Sequence, residues 1–332
     1  MLENCAGVSH RRGIIMNYKI AVPFERHKGE EKMKKIYALT AALMLSVAAA
    51  SVAGASAVYL GPEGTFSEQA AYDWFDGSGE ELRMLKTVQD CVKAVDEGTS
   101  DFAVIPLENT IGGLAGNKGL YIDAFLAAKD LRVVGQVDVG IRQMLMGVKG
   151  TTVEGIKTVW SHPQGLAQGK AWLAQNLPDV TTEQTASTAE AARMAAEKKD
   201  VSVAAIAAPR AAEVYGLEIV VPDIQISRAN VTRFWVIAKP ENAARFKLNR
   251  GITRTSLAVS GPAAGLTDLL GDLKSLGLTL AAIHERPMKT ALGDYLWVLE
   301  FMDNGGNEDK IAEAAKAHEA MKVRYLGTYN CK

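Results

Sequence analysis

Asn230-Val231-Thr232-Arg233-Phe234 leads straight into an apolar run that ends at Ala238. No polar residue interrupts that run, so it reads as a strand covered on both faces, of the parallel-sheet type. The five residues at its mouth combine an amide, a hydroxyl and a guanidinium. Such a donor cluster at the end of a buried strand is where an α/β protein holds a small ligand. The same residues also suit a turn entering an edge strand, with Arg233 on a surface carboxylate.

Working outward from this strand, residues 58–240 alternate strand and helix signals, which predicts a largely parallel α/β body. Val58 to Leu60 is a short strand, and Gly61-Pro62-Glu63-Gly64 turns the chain. Thr65 stands three residues before Glu68 as a capping box, and helical spacing follows over Phe66 to Phe75. Phe102 to Leu107 reads as a buried strand that delivers Glu108-Asn109-Thr110 to a glycine loop. Leu131 to Val139 and Lys157 to Trp160 are further strands. Ser161-His162-Pro163-Gln164 then opens a helix, with proline at its first position and Ser161 or His162 as cap. Ser187 and Glu190 form another capping box, with Thr188 between them. The helix N-termini near Thr65, Pro163 and Thr188 each carry free N–H groups. Converged, with Arg233 nearby, they suit a small molecule with more than one carboxylate.

Residues 252–332 give the order β-α-β-β-α-β, which is ferredoxin-like. The strands are Arg254 to Ser260, Leu278 to Ile283, Tyr295 to Phe301 and Val323 to Leu326. The helices run from Ala264 to Leu276 and from Lys310 to Met321. No reactive constellation occurs in this second body, so dimerisation and effector binding are its natural roles.

Composition narrows the function classes. The chain has 332 residues, 48% of them hydrophobic, enough for about two domains with full cores. Without residues 1–57 the 37 basic and 38 acidic residues become 29 and 34, a net charge of −5 with no basic stripe. That argues against a nucleic-acid partner. Cys5, Cys91 and Cys331 suggest neither a disulfide framework nor a cysteine metal cage. The dinucleotide G-x-G-x-x-G, a P-loop and a nucleophile elbow are all missing.

At the N-terminus, Met33-Lys34-Lys35, the apolar run from Ile36 to Ala50 and the small residues to Ala57 read as a secretory signal over 33–57. Residues 1–32 read as a non-structural extension, with translation expected to begin at Met33. Ala53, Ala55 and Ala57 each suit the cut, and the strand after it favours an earlier one. The expected location is therefore periplasmic, with no membrane span after cleavage and a cytoplasmic site as the alternative. The apolar core is short for a span of ~20 residues.

Five ordered motifs now resemble one family. Gly61-Pro62-Glu63-Gly64-Thr65-Phe66-Ser67, Pro106-Leu107-Glu108-Asn109-Thr110, Ser161-His162-Pro163-Gln164, Ser187-Thr188-Ala189 and Asn230-x-Thr232-Arg233-Phe234 look like the prephenate dehydratases. Residues 252–332 look like the ACT regulatory domain that those enzymes carry. The resemblance implies a catalytic domain at 58–240 with two lobes like a periplasmic binding protein and a cleft between them. It implies conversion of prephenate to phenylpyruvate, in phenylalanine biosynthesis, with no metal or organic cofactor. Thr232 takes the place of the family's essential threonine, donating to the departing hydroxyl, with Glu108 as an alternative proton source. Arg233 is assigned to a substrate carboxylate. Thr65, Asn109, Ser161, Gln164, Thr188 and Asn230 are assigned as binding or orienting contacts. The family's Pro-Gly-Ala-Leu and Glu-Ser-Arg-Pro effector motifs align with Ala263-Ala264-Gly265-Leu266 and His284-Glu285-Arg286-Pro287. Gly265, Leu266, Glu285, Arg286 and Pro287 are the corresponding candidates for phenylalanine. A homodimer or homotetramer is expected. Arogenate as substrate, or a sensor that keeps the cleft without turnover, are the competing functions.

Overall fold

The computed structural model describes residues 56–248, 252–292, 294–303 and 307–332. The expected signal segment, apart from its last two residues, and the extension before it lie outside the described residues.

In chain order the first lobe comprises β1 (Ala57–Leu60), α1 (Phe66–Phe75), β2 (Leu82–Leu85), α2 (Val88–Asp96), β3 (Phe102–Asn109), β4 (Gly113–Leu114), α3 (Ala115–Ala127) and β5 (Arg132–Gly140). The chain then crosses to a second lobe made of β6 (Met144–Gly147), β7 (Thr158–Ser161), α4 (Pro163–Asn176), β8 (Thr181–Gln184), α5 (Thr188–Lys198), β9 (Val203–Ala207), α6 (Pro209–Tyr215) and β10 (Glu218–Val221). It returns through β11 (Val231–Ala238) and α7 (Pro240–Ala243). The second body follows as β12 (Thr253–Ser260), α8 (Ala263–Ser275), β13 (Thr279–Pro287), β14 (Tyr295–Asp303), α9 (Glu308–Ala317) and β15 (Lys322–Cys331).

β11 lies between β3 and β5 and runs antiparallel to both. The expectation of a parallel-type strand is therefore wrong in direction, although its burial is as expected. Phe234, Val236 and Ala238 pack with Trp74 and Phe75 of α1 on one face. Trp235 and Ile237 pack with residues of α2 and α3 on the other. An unbroken apolar run reports cover on two faces, and helices supply that cover whichever way the strand points. The α1 face also requires Gly135 on β5, where any Cβ would overlap the Trp74 ring. The second lobe is a five-stranded sheet, in the order β10-β6-β9-β7-β8. α5 and α6 cover one of its faces and α4 the other.

The two crossings between lobes are bonded to each other. Ile141 N–H donates to the Asn230 carbonyl at 2.8 Å, and Ile224 N–H to that of Gln143 at 2.9 Å. The lobes also meet away from this hinge. Tyr215 of α6 donates to the Glu63 carbonyl at 2.8 Å, and Arg210 stacks over the Tyr72 ring at 4.4 Å. The first two lobes form a body like a periplasmic binding protein.

The second body is ferredoxin-like, its strands ordered β15-β12-β14-β13. Its helices cover one face, around Leu257, Leu299 and Phe301. Its final strand was expected to stop near Leu326 but continues to Cys331, where Asn330 and Cys331 pair in parallel with Gly135 and Gln136 of β5. One ten-stranded sheet therefore spans the first lobe and the second body. Gly327 permits the approach: its φ is +141°, and a Cβ there would overlap the Val133 carbonyl. The helix expected to reach Met321 ends at Ala317. Among the described residues no helix is long and apolar enough to cross a membrane.

Candidate active site

A cleft of about 1200 Å³ opens beside the hinge. Thr232 and Asn109 face each other across β11 and β3 at its floor, in direct register. The Asn109 amide cannot turn freely. Its Oδ1 accepts from the N–H groups of Ile111 and Gly112 at 3.0 and 2.9 Å. Its Nδ2 must then point the other way, where it donates to Thr232 Oγ1 at 3.0 Å and to Asn230 Oδ1 at 2.7 Å. Thr232 Oγ1 is thus an acceptor towards Asn109, and its own proton is left for the cleft.

Three helix N-termini line the same cavity. Thr65 caps α1 by accepting from Glu68 N–H at 3.3 Å. Ser187 caps α5 by accepting from Glu190 N–H at 3.0 Å, which leaves Thr188 at the cleft wall. On α4 the cap is His162, whose Nδ1 accepts from Gln164 N–H at 3.2 Å. The Thr65 and Ser187 caps each contribute about 1 kcal/mol to their helices. The remaining N–H groups and the aligned peptide dipoles give the cavity a positive lining suited to an anion. Glu190 does not cancel it: bonds to Arg193 hold its carboxyl below the usual range and fix it to its own helix.

Thr65, Asn109, Gln164, Thr188 and Thr232 therefore share one cleft, while four other candidates lie elsewhere. Arg233 is next to Thr232 in a strand, so its side chain leaves by the opposite face. There it makes a two-pronged pair with Asp138, at 2.9 Å for both bonds. The pair holds the guanidinium charged against the cost of its burial. Its assignment to a substrate carboxylate is corrected accordingly. Glu108 is opposite Arg233 in the ladder and does not line the cleft, so it is poorly placed as the proton source. Ser161 is wholly buried and donates to the Ile206 carbonyl at 2.6 Å; it neither caps α4 nor lines the cleft. Asn230 is buried beneath Asn109 and orients that amide instead of touching the cavity.

Lining residues that the motifs did not single out include Lys86, Lys118, Tyr121, Gln143 and Gln168. Gln143 donates to Gln168 Oε1 at 3.1 Å, and its own Oε1 is buried with no partner. Lys118 lies in Gly116-Asn117-Lys118-Gly119, and the paired glycines there were the one readable sign of an unusual turn.

The sequence profile of the prephenate dehydratases matches residues 57–242. The chain belongs to the prephenate dehydratase family. It is 37% identical over 276 residues to a bifunctional chorismate mutase/prephenate dehydratase of Neisseria gonorrhoeae, covering 82% of this chain and 73% of that one. Among solved structures it is similar to a prephenate dehydratase from Arthrobacter aurescens in complex with L-Phe. That similarity has a TM-score of 0.71 and 27% identity, over 82% of this chain and 89% of the other. The fold alone is shared with a protein described as a novel type of quorum quenching acylase, at TM-score 0.69 and 22% identity over 83% and 98% of the two chains.

The effector candidates of this family member are divided by the second body's sheet. Gly265 and Leu266 lie on α8, against Met321 and the helix-side core. Arg286 points to the other face, where Nε and Nη2 bond the Asp123 carboxylate at 2.7 and 2.6 Å. Strand alternation puts Glu285 and Pro287 on the face away from Arg286. His284 on the Arg286 face is buried against Glu300 at 2.9 Å. Burial works to raise the Glu300 carboxyl, but His284 and Arg254 outweigh it and hold it below the usual range. Among the described residues no cluster of three metal-ligating side chains occurs.

Proposed function

We propose that this protein is a lyase that converts prephenate to phenylpyruvate with release of carbon dioxide and water. The observation that carries this reading is the Thr232 hydroxyl, held by Asn109 with its proton free for the cleft. In the reaction the bond from the ring to its carboxylate breaks and carbon dioxide leaves. The electron pair enters the ring, the ring C–O bond breaks, and the departing hydroxide takes up a proton. Aromatisation supplies the driving force, so the protein's work is to orient the ring and stabilise the leaving oxygen. Threonine is too weak an acid to give up its proton outright. A fixed hydrogen bond to developing negative charge can still be worth ~3 kcal/mol.

Thr232→Ala in the full chain is therefore expected to lower kcat about 100-fold, which corresponds to ~2.7 kcal/mol. Thr232→Ser is expected to retain most of the rate. Phenylpyruvate formation from prephenate measures both. Tight prephenate binding by the wild-type protein without turnover would reject the lyase in favour of a sensor.

We also propose export to the periplasm, on the strength of residues 33–57. Ala57 is wholly buried and pairs with Leu82 and Phe102, and the Ser56 carbonyl accepts from Phe102 N–H at 3.0 Å. A cut after Ala53 or Ala55 spares this strand, whereas one after Ala57 removes its first residue. N-terminal sequencing of the chain from a periplasmic extract is expected to begin at Gly54 or Ser56. Recovery only from the cytoplasm with the signal attached refutes export.

A further inference from the structure

With Arg233 committed to Asp138, the cleft has to meet two carboxylates by other means. Lys86 and Lys118 are the two cationic side chains among its lining residues that have no ion-pair partner among the described residues. Lys118 has the more unusual setting. Gly116, Asn117, Lys118 and Gly119 have φ values of +73°, +49°, +66° and +92°. Left-handed backbone is routine for glycine and disfavoured for the two residues between. Such strain persists only where surroundings enforce it, and here they are visible. Arg286 Nη1, from the second body, donates to the Lys118 carbonyl at 2.6 Å while the same guanidinium grips Asp123. A Cβ on Gly119 would come within 2.6 Å of Arg286 Nη1, and one on Gly116 would overlap the Tyr121 ring. The turn is pinned between a ring that lines the cleft and a guanidinium that comes from outside it.

We propose that Lys118 binds a carboxylate of the substrate and that Arg286 is its positioning residue. The proposal rests on the lyase reading for the identity of the dianion. A lysine ammonium is a compact point charge on a flexible stem, so its placement depends on the backbone that carries it. The guanidinium of Arg286 fixes that backbone by its carbonyl, in a turn that lines the cleft. The same motif that the family resemblance assigns to an effector thus holds a substrate contact from a distance.

The test uses the full chain, with steady-state kinetics and calorimetric binding of prephenate. Lys118→Gly suits the left-handed backbone and removes the side chain together with its ammonium. It is expected to raise KM and Kd at least tenfold, with kcat within threefold and the melting temperature unchanged. Arg286→Gln keeps the ammonium but releases the carbonyl, and it is expected to raise KM five- to tenfold. Combined with Lys118→Gly it should add no further KM effect, because both act through one contact. Unchanged KM and Kd in Lys118→Gly overturn the assignment even where turnover upholds the lyase. Multiplicative KM effects in the double variant overturn the role of Arg286. A wild-type protein that binds prephenate without turnover, with Kd raised tenfold by Lys118→Gly, keeps the lysine assignment while the lyase reading falls. A wild-type protein that neither binds nor converts prephenate overturns both.

Discussion

Thr232 and Arg233 are adjacent, yet they serve opposite faces of one strand. Pleating sends Thr232 into the cleft and Arg233 to Asp138 on β5. That geometry makes the arginine a brace between strands. Removing it leaves Asp138, an exposed carboxylate that keeps the Gln136 amide, without its charge partner, so Arg233→Ala is expected to lower stability by about 0.5–1 kcal/mol. KM for prephenate should stay within threefold. Thermal unfolding and steady-state kinetics on the same preparation check this, and a tenfold rise in KM at an unchanged melting temperature would return Arg233 to the substrate. Motif order identified Thr232, Asn109, Gln164, Thr188 and Thr65 as neighbours in space. It did not say which side of a strand each neighbour occupies. Asn230 and Ser161 carry suitable polar groups, but both are buried in the wall, where Asn230 Oδ1 accepts from Asn109 and Ser161 donates to the Ile206 carbonyl.

Elements were legible where their signal is local. The caps at Thr65 and Ser187 are set by three residues of spacing and both cap bonds are present, although the Glu68 and Glu190 carboxylates bond Gly64 N–H and Arg193 and do not close the boxes. The βαββαβ order of the second body follows from periodicity alone. Features that depend on distant partners were not legible. The direction of β11 is fixed by β3 and β5, and its apolar run reflects only the helices above and below. The end of β15 was hidden because Gly327-Thr328-Tyr329-Asn330 reads as a strand breaking up. In space the glycine is the place where Val133 comes close, and Tyr329 is wholly buried. No helix was read over α3, whose opening left-handed turn has neither of the periodicities that reveal helices and strands.

At the scale of the whole molecule, the second body is a structural part of the first. Ala258, Val298, Leu326 and Tyr329 belong to the same core as Ile122, Phe125, Leu131 and Val133. Arg286 ties β13 to α3, Arg324 donates to the Leu126 and Ala128 carbonyls at 2.9 and 3.1 Å, and β15 extends the sheet from β5. A detachable regulatory module would share none of these. Ending the chain at residue 250 would strip cover from Ile122, Phe125, Leu131 and Val133. Burial of each such side chain is worth roughly 1.5–3 kcal/mol, against a net stability of about 5–15 kcal/mol for a domain. Partial loss of cover on four of them removes a large share of that margin and exposes an unpaired edge of β5 as well. The truncated chain is therefore expected to aggregate or to unfold without a cooperative transition, and the full chain to unfold in one transition by calorimetry. A soluble truncation with a wild-type melting temperature and prephenate turnover would mean that the shared sheet and core contribute little, and that the two bodies are independent after all.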